Sequence, residues 1–562
     1  MKFRLFLLSA TLVTMAAPHA LAQVPSSAEP SRVQQQIAPI ERRLPPITGT
    51  GLISSGTAIV APAGSEKVKL TLNSVTVEGA SAYTNAEIEK IYADKIGTGI
   101  TLADVYGFAQ QLTVKYRNDG YILTQVVVPE QTISGGNIRL QVVEGFVDKV
   151  SIEGQTRGNY AFLQGFADKI RNERPLNAKK LERYILLMND LAGVSARAIL
   201  SPSATLRGAS DVVIMVEQKA VDLFGQVDNR GTRYLGPLQL NAGARLNSPF
   251  GFYEGISLQA VTAFSDANDR EMDYFSAGWS QPLNQEGTKL SVSGSLTSTD
   301  PGYLLSASEV TGLAKNLSLE LSHPFIRSRN TNLFGAIKFN YLNSTRKDNL
   351  GLGDTTDHLR VARVAGTYQF TDALIGFNTL NLEASKGLGI FGASDKGDAN
   401  MTRADGDPQF FKLTMEVSRL QRITSIFDAY VSVAGQRSND DLLASEEFGV
   451  GGINYGSAYD SSEITGEDGL AGRLELRANN PIQTPADMIQ VYGFYDIGKV
   501  WDKDNTVAED RQRSIASTGL GLRASINENF AGTVEVAKPL TRKVGTEGDR
   551  EPRVFGSLTA RF

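Results

Sequence analysis

From residue 221 onward the chain is written in short segments that alternate apolar and polar side chains, and helical periodicity is gone. In the last segment Val554, Gly556, Leu558, Ala560 and Phe562 share one face, and Ser557, Thr559 and Arg561 share the other with Phe555. Leu238, Leu240, Ala242, Ala244 and Leu246 likewise oppose Gln239, Asn241, Arg245 and Asn247. Phe411, Leu413, Met415 and Val417 oppose Lys412, Thr414, Glu416 and Ser418. The second face is wet, so these strands do not line a sandwich core. One face for lipid and one for a watery lumen suits an outer-membrane barrel. The pattern predicts sixteen strands, near 221–229, 238–247, 255–264, 272–280, 288–297, 315–322, 332–342, 359–370, 376–386, 410–419, 427–437, 470–478, 488–497, 516–524, 529–538 and 554–562. A barrel of that size leaves an aqueous channel unless something fills it.

Composition removes most other classes. Cysteine is absent, and of three histidines His19 lies in the leader, leaving His323 and His358. A disulfide frame and a thiolate site are excluded, and a His-based metal site or catalytic triad has little to draw on. A net charge of −5 gives no reason to invoke nucleic acid. Beyond the leader no 18-residue stretch is apolar throughout, so a helical membrane protein is excluded. No Gly-x-x-x-x-Gly-Lys loop is present. No catalytic residue, metal ligand or cofactor is therefore nominated, and the chain reads as a non-enzyme.

Residues 1–22 read as an export signal: Lys2 and Arg4, an apolar core over 5–17, then Ala20-Leu21-Ala22 before Gln23. Residues 23–66 are rich in Pro, Ser and Gly, with one short helix expected at 31–38, closed by Pro39. That stretch is either a disordered tail or a tethered helix on a linker. Residues 67–145 follow the order β-α-α-β-β. One strand runs from Val68 through Leu70, Leu72, Val75 and Val77 to Gly79, and Thr84 with Glu87 makes a capping box. A second helix starts at Thr101, carries Val105, Phe108, Ala109, Leu112 and Tyr116, and ends at Gly120; strands follow at 121–128 and 138–144. The same order returns over 146–220, with strands at 147–152, 196–200 and 211–217 and helices at 160–171 and 178–189. Two like α+β modules in tandem are expected before the all-β domain of 221–562.

Residues 438–469, between the eleventh and twelfth strands, are too many for a hairpin loop, and they hold six glycines with interleaved aromatics. Length alone suits a surface loop; the lumen is the other place for it. Gln490, Tyr492, Phe494 and Asp496 share the inward face of 488–497. A carboxylate there needs a partner if the lumen is filled.

Taken in order, these features resemble the two-partner secretion transporters, the haemolysin and haemagglutinin secretion-activation proteins of Gram-negative outer membranes. The resemblance rests on Tyr116-Arg117-Asn118-Asp119-Gly120-Tyr121-Ile122 and Val128-Pro129-Glu130-Gln131, which read like that family's polypeptide-transport-associated (POTRA) domain. Asp228-Asn229-Arg230-Gly231, His323-Pro324, the Gly451–Gly469 loop and Phe494-Tyr495-Asp496 add to it. It implies two POTRA domains in the periplasm, with Tyr116, Gly120, Tyr121, Pro129 and Gln131 meeting the partner. It further implies a sixteen-stranded transmembrane barrel whose insertion signal includes Leu558, Ala560 and Phe562, and a helix at 31–38 acting as pore plug. The family's long loop folds into the channel, where a loop arginine pairs with the acid of the wall's Phe-x-Asp motif. Phe494 and Asp496 match the wall; Tyr459, Asp460, Gly466 and Gly469 keep the loop's frame; but the Arg-Gly pair falls on Ser457-Ala458. Asp496 then takes another cation, with Arg437, Arg473 and Arg477 as candidates, or hydrogen-bonds Ser457. A neutral bond is weaker, so a looser loop and a larger resting conductance are expected. The implied partners are a large β-helical exoprotein of adhesin or cytolysin type, outer-membrane lipid, the barrel-assembly machinery and periplasmic chaperones. The alternatives are an insertase of the same superfamily and a general porin.

Overall fold

Alternation along each strand closes the membrane domain. In the computed structural model, which describes residues 25–37, 60–206, 208–265, 269–348, 353–481, 488–503, 511–527 and 529–562, sixteen antiparallel strands form one closed barrel. They run from Val221–Asp228 to Arg553–Arg561, and the last strand pairs with the first through Ser557↔Asp228 to Arg561↔Phe224. Leu558, Leu520 and Val534 project outward, while Tyr492, Phe494, Asp496 and Glu535 are buried inside. Leu223 and Phe562 exchange backbone hydrogen bonds of 2.8 and 2.9 Å, so the terminal aromatic helps to fasten the seam. The expected export signal, Ala38 and Pro39 lie outside the described residues.

Each module places two helices over a three-stranded sheet. In the first, Leu102–Asn118 buries Val105, Phe108, Ala109, Leu112 and Tyr116, and both predicted helix starts carry capping boxes, at Thr84/Glu87 and Thr101/Asp104. The single strand expected from Val68 to Gly79 is instead two. Lys69–Thr71 pairs with Gly99–Thr101, whereas Ser74–Glu78 pairs with Asn137–Val143. The break has a physical cause: the Leu72 N–H donates to Thr98 O at 3.0 Å and the Asn73 N–H to Gly136 O at 2.8 Å, so consecutive peptides are claimed by different sheets. The strand expected at 121–128 shrinks to Gln125–Val127, because Tyr121 and Thr124 close a turn with a 3.1 Å bond.

The second module sits directly on the barrel's turns. Arg327 Nε and Nη2 donate to the Asp190 carboxylate at 2.8 and 2.7 Å. Lys169, Arg183 and Tyr184 gather on Glu286, and Tyr253 is buried against Phe162. The end of the barrel carrying these turns is thus the end that faces the modules.

The amino-terminal stretch lies inside the barrel. Ser26–Ala28 and Pro30–Arg32 are 3-10 turns and Val33–Gln36 is one α turn, so the helix is shorter than the 31–38 expected. Proline at the start of each turn explains the form, since its missing N–H is an orphan there anyway. Ala28 and Val33 are buried with Tyr234, Val261, Met272 and Tyr274 of the wall.

Candidate functional site in the barrel lumen

The long loop is inside. Its short hairpin, Phe448–Val450 with Ile464–Gly466, and the turn between them bury Val450, Ala458, Tyr459 and Ile464 against Tyr492, Phe494, Ile515 and Phe555 of the wall. Two glycines let it fit. Gly451 has φ of +126°, and a Cβ there would lie 2.1 Å from Asp460 O; a Cβ on Gly469 would lie 2.0 Å from the Phe448 ring.

At the tip, Asp496 is completely buried. Its neighbour across the ladder is Arg473, directly paired in register, whose Nη1 lies 3.1 and 3.3 Å from the two carboxylate oxygens. The Ser457 backbone N–H donates to Asp496 at 2.9 Å, and the Ser517 hydroxyl donates at 3.2 Å. Ser457 Oγ does not bond Asp496; it accepts from Arg473 Nη1 at 2.8 Å. Of the three candidate cations the structure therefore brings Arg473 to Asp496. Arg473 also donates to Glu475 at 3.0 Å and stacks on the Phe494 ring at 4.4 Å. Arg477 is spent on Glu475 at 2.7 Å, and Arg437 points out of the barrel to Asp468 at 2.6 Å.

Two more wall arginines grip the loop's main chain. Arg230 donates to Ser457 O at 3.2 Å and to Glu535 at 2.8 Å; Arg553 donates to Ala458 O at 3.1 Å and to Asp460 at 2.8 Å. Tyr459 Oη donates to Arg542 O at 3.0 Å, and Thr546 Oγ1 to Asp460 at 2.6 Å. The premise of a looser loop, a neutral bond alone at Asp496, is thus corrected: the charge is present, but it comes from the wall. Gly466 passes tightly under the backbone of Trp501, where a Cβ would stand 2.9 Å from its carbonyl oxygen.

The amino-terminal segment is tied to the same loop. Arg32 is fully buried; its Nε and Nη2 donate to Ser462 Oγ at 3.3 and 3.0 Å, and Nη1 donates to Glu447 O at 3.2 Å and to Ala444 O. Gln35 donates to Ser445 O at 3.2 Å, Ser26 and Thr465 hydroxyls lie 3.1 Å apart, and Glu29 pairs with Arg346 of the wall. Sequence reasoning missed Arg32, Arg230, Arg553 and Glu535. Arg32 had a signal in its place within the helix expected at 31–38, and Arg230 in Asp228-Asn229-Arg230-Gly231.

The residues expected to meet the partner fare differently. Tyr116 and Gly120 are buried, which corrects their assignment to direct contact. Tyr116 Oη donates to Glu144 at 2.7 Å, and Gly120 O accepts from the Ala178 N–H at 2.8 Å, joining the two modules. Glu144 sits below the usual carboxylate range although burial pushes it up, because Ser81, the Ala82 N–H and Tyr116 all donate to it. Gln131 exchanges two 2.8 Å bonds with the Arg139 main chain and so prolongs the sheet. Tyr121 is half-buried beside Tyr83 and Tyr116, and Pro129, also half-buried, accepts from Gln131 at 3.3 Å.

A closed sixteen-stranded barrel with two POTRA modules at one end and a loop folded inward defines an outer-membrane transport pore. Residues 208–524 match the family described as haemolysin secretion/activation protein ShlB/FhaC/HecB, and residues 70–145 match the POTRA domain of ShlB type. The chain belongs to that haemolysin secretion/activation family. It is 22% identical over 464 residues to the heme/hemopexin transporter protein HuxB of Haemophilus influenzae, covering 82% of this chain and 81% of that protein. It is 26% identical over 426 residues to the outer membrane transporter CdiB of Escherichia coli, covering 74% and 70%. The solved structure of CdiB from Escherichia coli superposes with a TM-score of 0.74 at 22% identity, over 92% of this chain and 94% of that one. The protein is an outer-membrane transporter of the two-partner secretion type, not an enzyme, with its modules in the periplasm.

Proposed function

We propose that the periplasmic modules receive one large exoprotein of adhesin or cytolysin type while it is unfolded, and that it threads the barrel without ATP once residues 25–37 have left the lumen. In this reading the export signal is 1–22, the plug and its tether are 23–66, and the modules are 67–145 and 146–220. Strand addition to a module's sheet reads main chain rather than side chains, which suits an unfolded client. Directionality comes from folding outside, which prevents return. Chaperones deliver the client, and the barrel-assembly machinery inserts the transporter.

The observation that carries this reading is that two segments outside the barrel wall, the amino-terminal stretch and the loop, occupy the lumen and touch each other through Arg32. A channel meant for small solutes has no use for a detachable segment. Deleting residues 67–217 is expected to abolish export of the partner while an inserted barrel remains. Export that survives the deletion rejects the role given to the modules.

A further inference from the structure

Among the described residues, positive charge without a carboxylate partner on the lipid-facing surface of the barrel gathers at one end. Besides Arg270, which Asp273 holds, six cations lie on outward positions near the strand ends remote from the modules. Lys315 lies between exposed Leu313 and Leu317, Lys347 ends Thr331–Lys347, and Lys386 follows exposed Leu382. Arg437, Lys499 and Lys538 follow Val433, Ile497 and Val536 in the same alternation. Arg360 shares this face but is covered, its guanidinium 3.4 Å from the Tyr341 ring and donating to Leu342 O and Leu359 O. At the module end, among the described residues, the lipid-facing strand positions hold one Lys or Arg, Arg419, and Asp372 binds it. That rim is apolar instead, with Phe325, Ile375, Phe427, Ile526 and Phe562 exposed.

The cations are not a mere solvated fringe. Acids on the same face are Asp468, which holds Arg437 at 2.6 Å, and Asp273, which holds Arg270 at 2.5 Å. Lys315, Lys347 and Lys386 have no ion pair among the described residues, Lys386 donating only to the Gln409 carbonyl at 2.5 Å, and they lie on three of four adjacent strands. Lys315 opposes Asn343, whose next neighbour is His358, while Lys347 opposes Thr311 and Lys386 opposes Ala362. An apolar wall topped by ammonium groups that no carboxylate neutralises complements a lipid that has acyl chains below and phosphate at the boundary.

We propose that Lys315, Lys347 and Lys386 form a docking surface for the phosphate groups of an outer-leaflet glycolipid. The lipid holds the outer ends of these strands in place while the lumen empties and refills.

The test is titration of the full-length detergent-solubilised protein with lipid A, a bis-phosphorylated glucosamine lipid, read by native mass spectrometry. The triple variant Lys315→Gln/Lys347→Gln/Lys386→Gln is expected to weaken binding about tenfold or more, since each lysine near an anionic lipid surface contributes on the order of 1 kcal/mol. Dephosphorylated lipid A is expected to bind the native protein no better than phosphorylated lipid A binds the triple variant. Lys289→Gln, which faces the lumen at the module end, is the control and is expected to bind like the native chain. Equal binding by the triple variant overturns the proposal, as does an equal loss in the Lys289 control. If the triple variant loses heat-modifiable mobility, Lys386→Gln alone carries the test, with a severalfold loss expected and no loss counting against the idea.

Discussion

Ser457 at the loop tip and Arg32 of the amino-terminal segment both sit in the lumen, yet they are held by different means. Around Ser457 the paired charges belong to the wall: Asp496 and Arg473 face each other across adjacent strands, and Arg230 already has Glu535; three residues on, the loop's own Asp460 pairs with Arg553. The loop brings only main-chain groups and the Ser457 hydroxyl to Asp496 and Arg473. When Ser457 moves away the pair of Asp496 and Arg473 stays whole, and of the tip's charges Asp460 is the one that must leave its wall partner, Arg553. The amino-terminal segment brings its own ions. Withdrawing it strips Glu29 from Arg346 and takes Arg32 out of a pocket of carbonyl and hydroxyl oxygens. The pair of Asp496 and Arg473 is a permanent surface for Ser457, whereas charges shared with the wall, Glu29 on the segment and Asp460 and Glu446 on the loop, must be separated before their element can leave.

The sharpest way to break this contrast is Arg32→Ala. A hydrogen bond from a charged group is worth about 1.5–3 kcal/mol, and Arg32 makes several, so a loss near 3 kcal/mol shifts the segment's equilibrium by roughly a hundredfold. Single-channel recording in a planar bilayer is expected to show a large rise in open time. Arg32→Lys keeps the charge but loses the fork, and should fall between. Unchanged conductance in both would mean that the segment is held elsewhere.

Next comes Arg473→Ala, where the expected damage is to the barrel and not to gating. Removing it leaves Asp496 buried without its cation, a change of about 3–5 kcal/mol. The temperature at which the band shifts on a gel should fall. Ser457→Ala removes one acceptor and should alter neither property by more than about 1 kcal/mol. Ser457→Arg is instructive for the same reason: it puts a second guanidinium beside Arg473, and so is expected to loosen the tip. Paired with Arg473→Ser it should tighten the tip again, because one cation then faces Asp496. If Ser457→Arg alone lowers the resting conductance, the wall-owned pair is not what satisfies Asp496.

Much of this was legible in the chain, and the reason is periodicity. A strand with one wet and one oily face must alternate, so Leu238–Asn247 and Phe530–Pro539 announce themselves, and so does the inward side of Met488–Trp501. Helix starts were legible because a capping box is local chemistry. What stayed hidden needs register or closure. Arg437, Arg473 and Arg477 sit on the two strands flanking the loop, and only the pairing Arg473↔Asp496 separates them. Arg230 reaches Ser457 because the first and last strands close the barrel, which no local pattern states. The split at Leu72 was hidden for the same reason: the partners that pull the chain apart there, Thr98 and Gly136, are remote in sequence.

The mildest expected effect lies outside the lumen and tests whether the contrast is confined to it. Glu144 accepts bonds from Ser81, the Ala82 N–H and Tyr116, and its folded affinity for protons is lower than in the unfolded chain. The unfolded module therefore binds the proton more readily, so this node stabilises above the ordinary carboxylate pKa, near 4.3, and the benefit is lost as pH falls through the lower folded value. Amide exchange at 81–83 and around Tyr116 should quicken below about pH 4, and Glu144→Gln should show the faster rate already at neutral pH. Neither change should alter the resting conductance, since no contact of Glu144 reaches the barrel. A conductance that follows Glu144 would join the first module mechanically to the lumen, through Gly120 and Ala178, and make the hold on the amino-terminal segment answer to the periplasm.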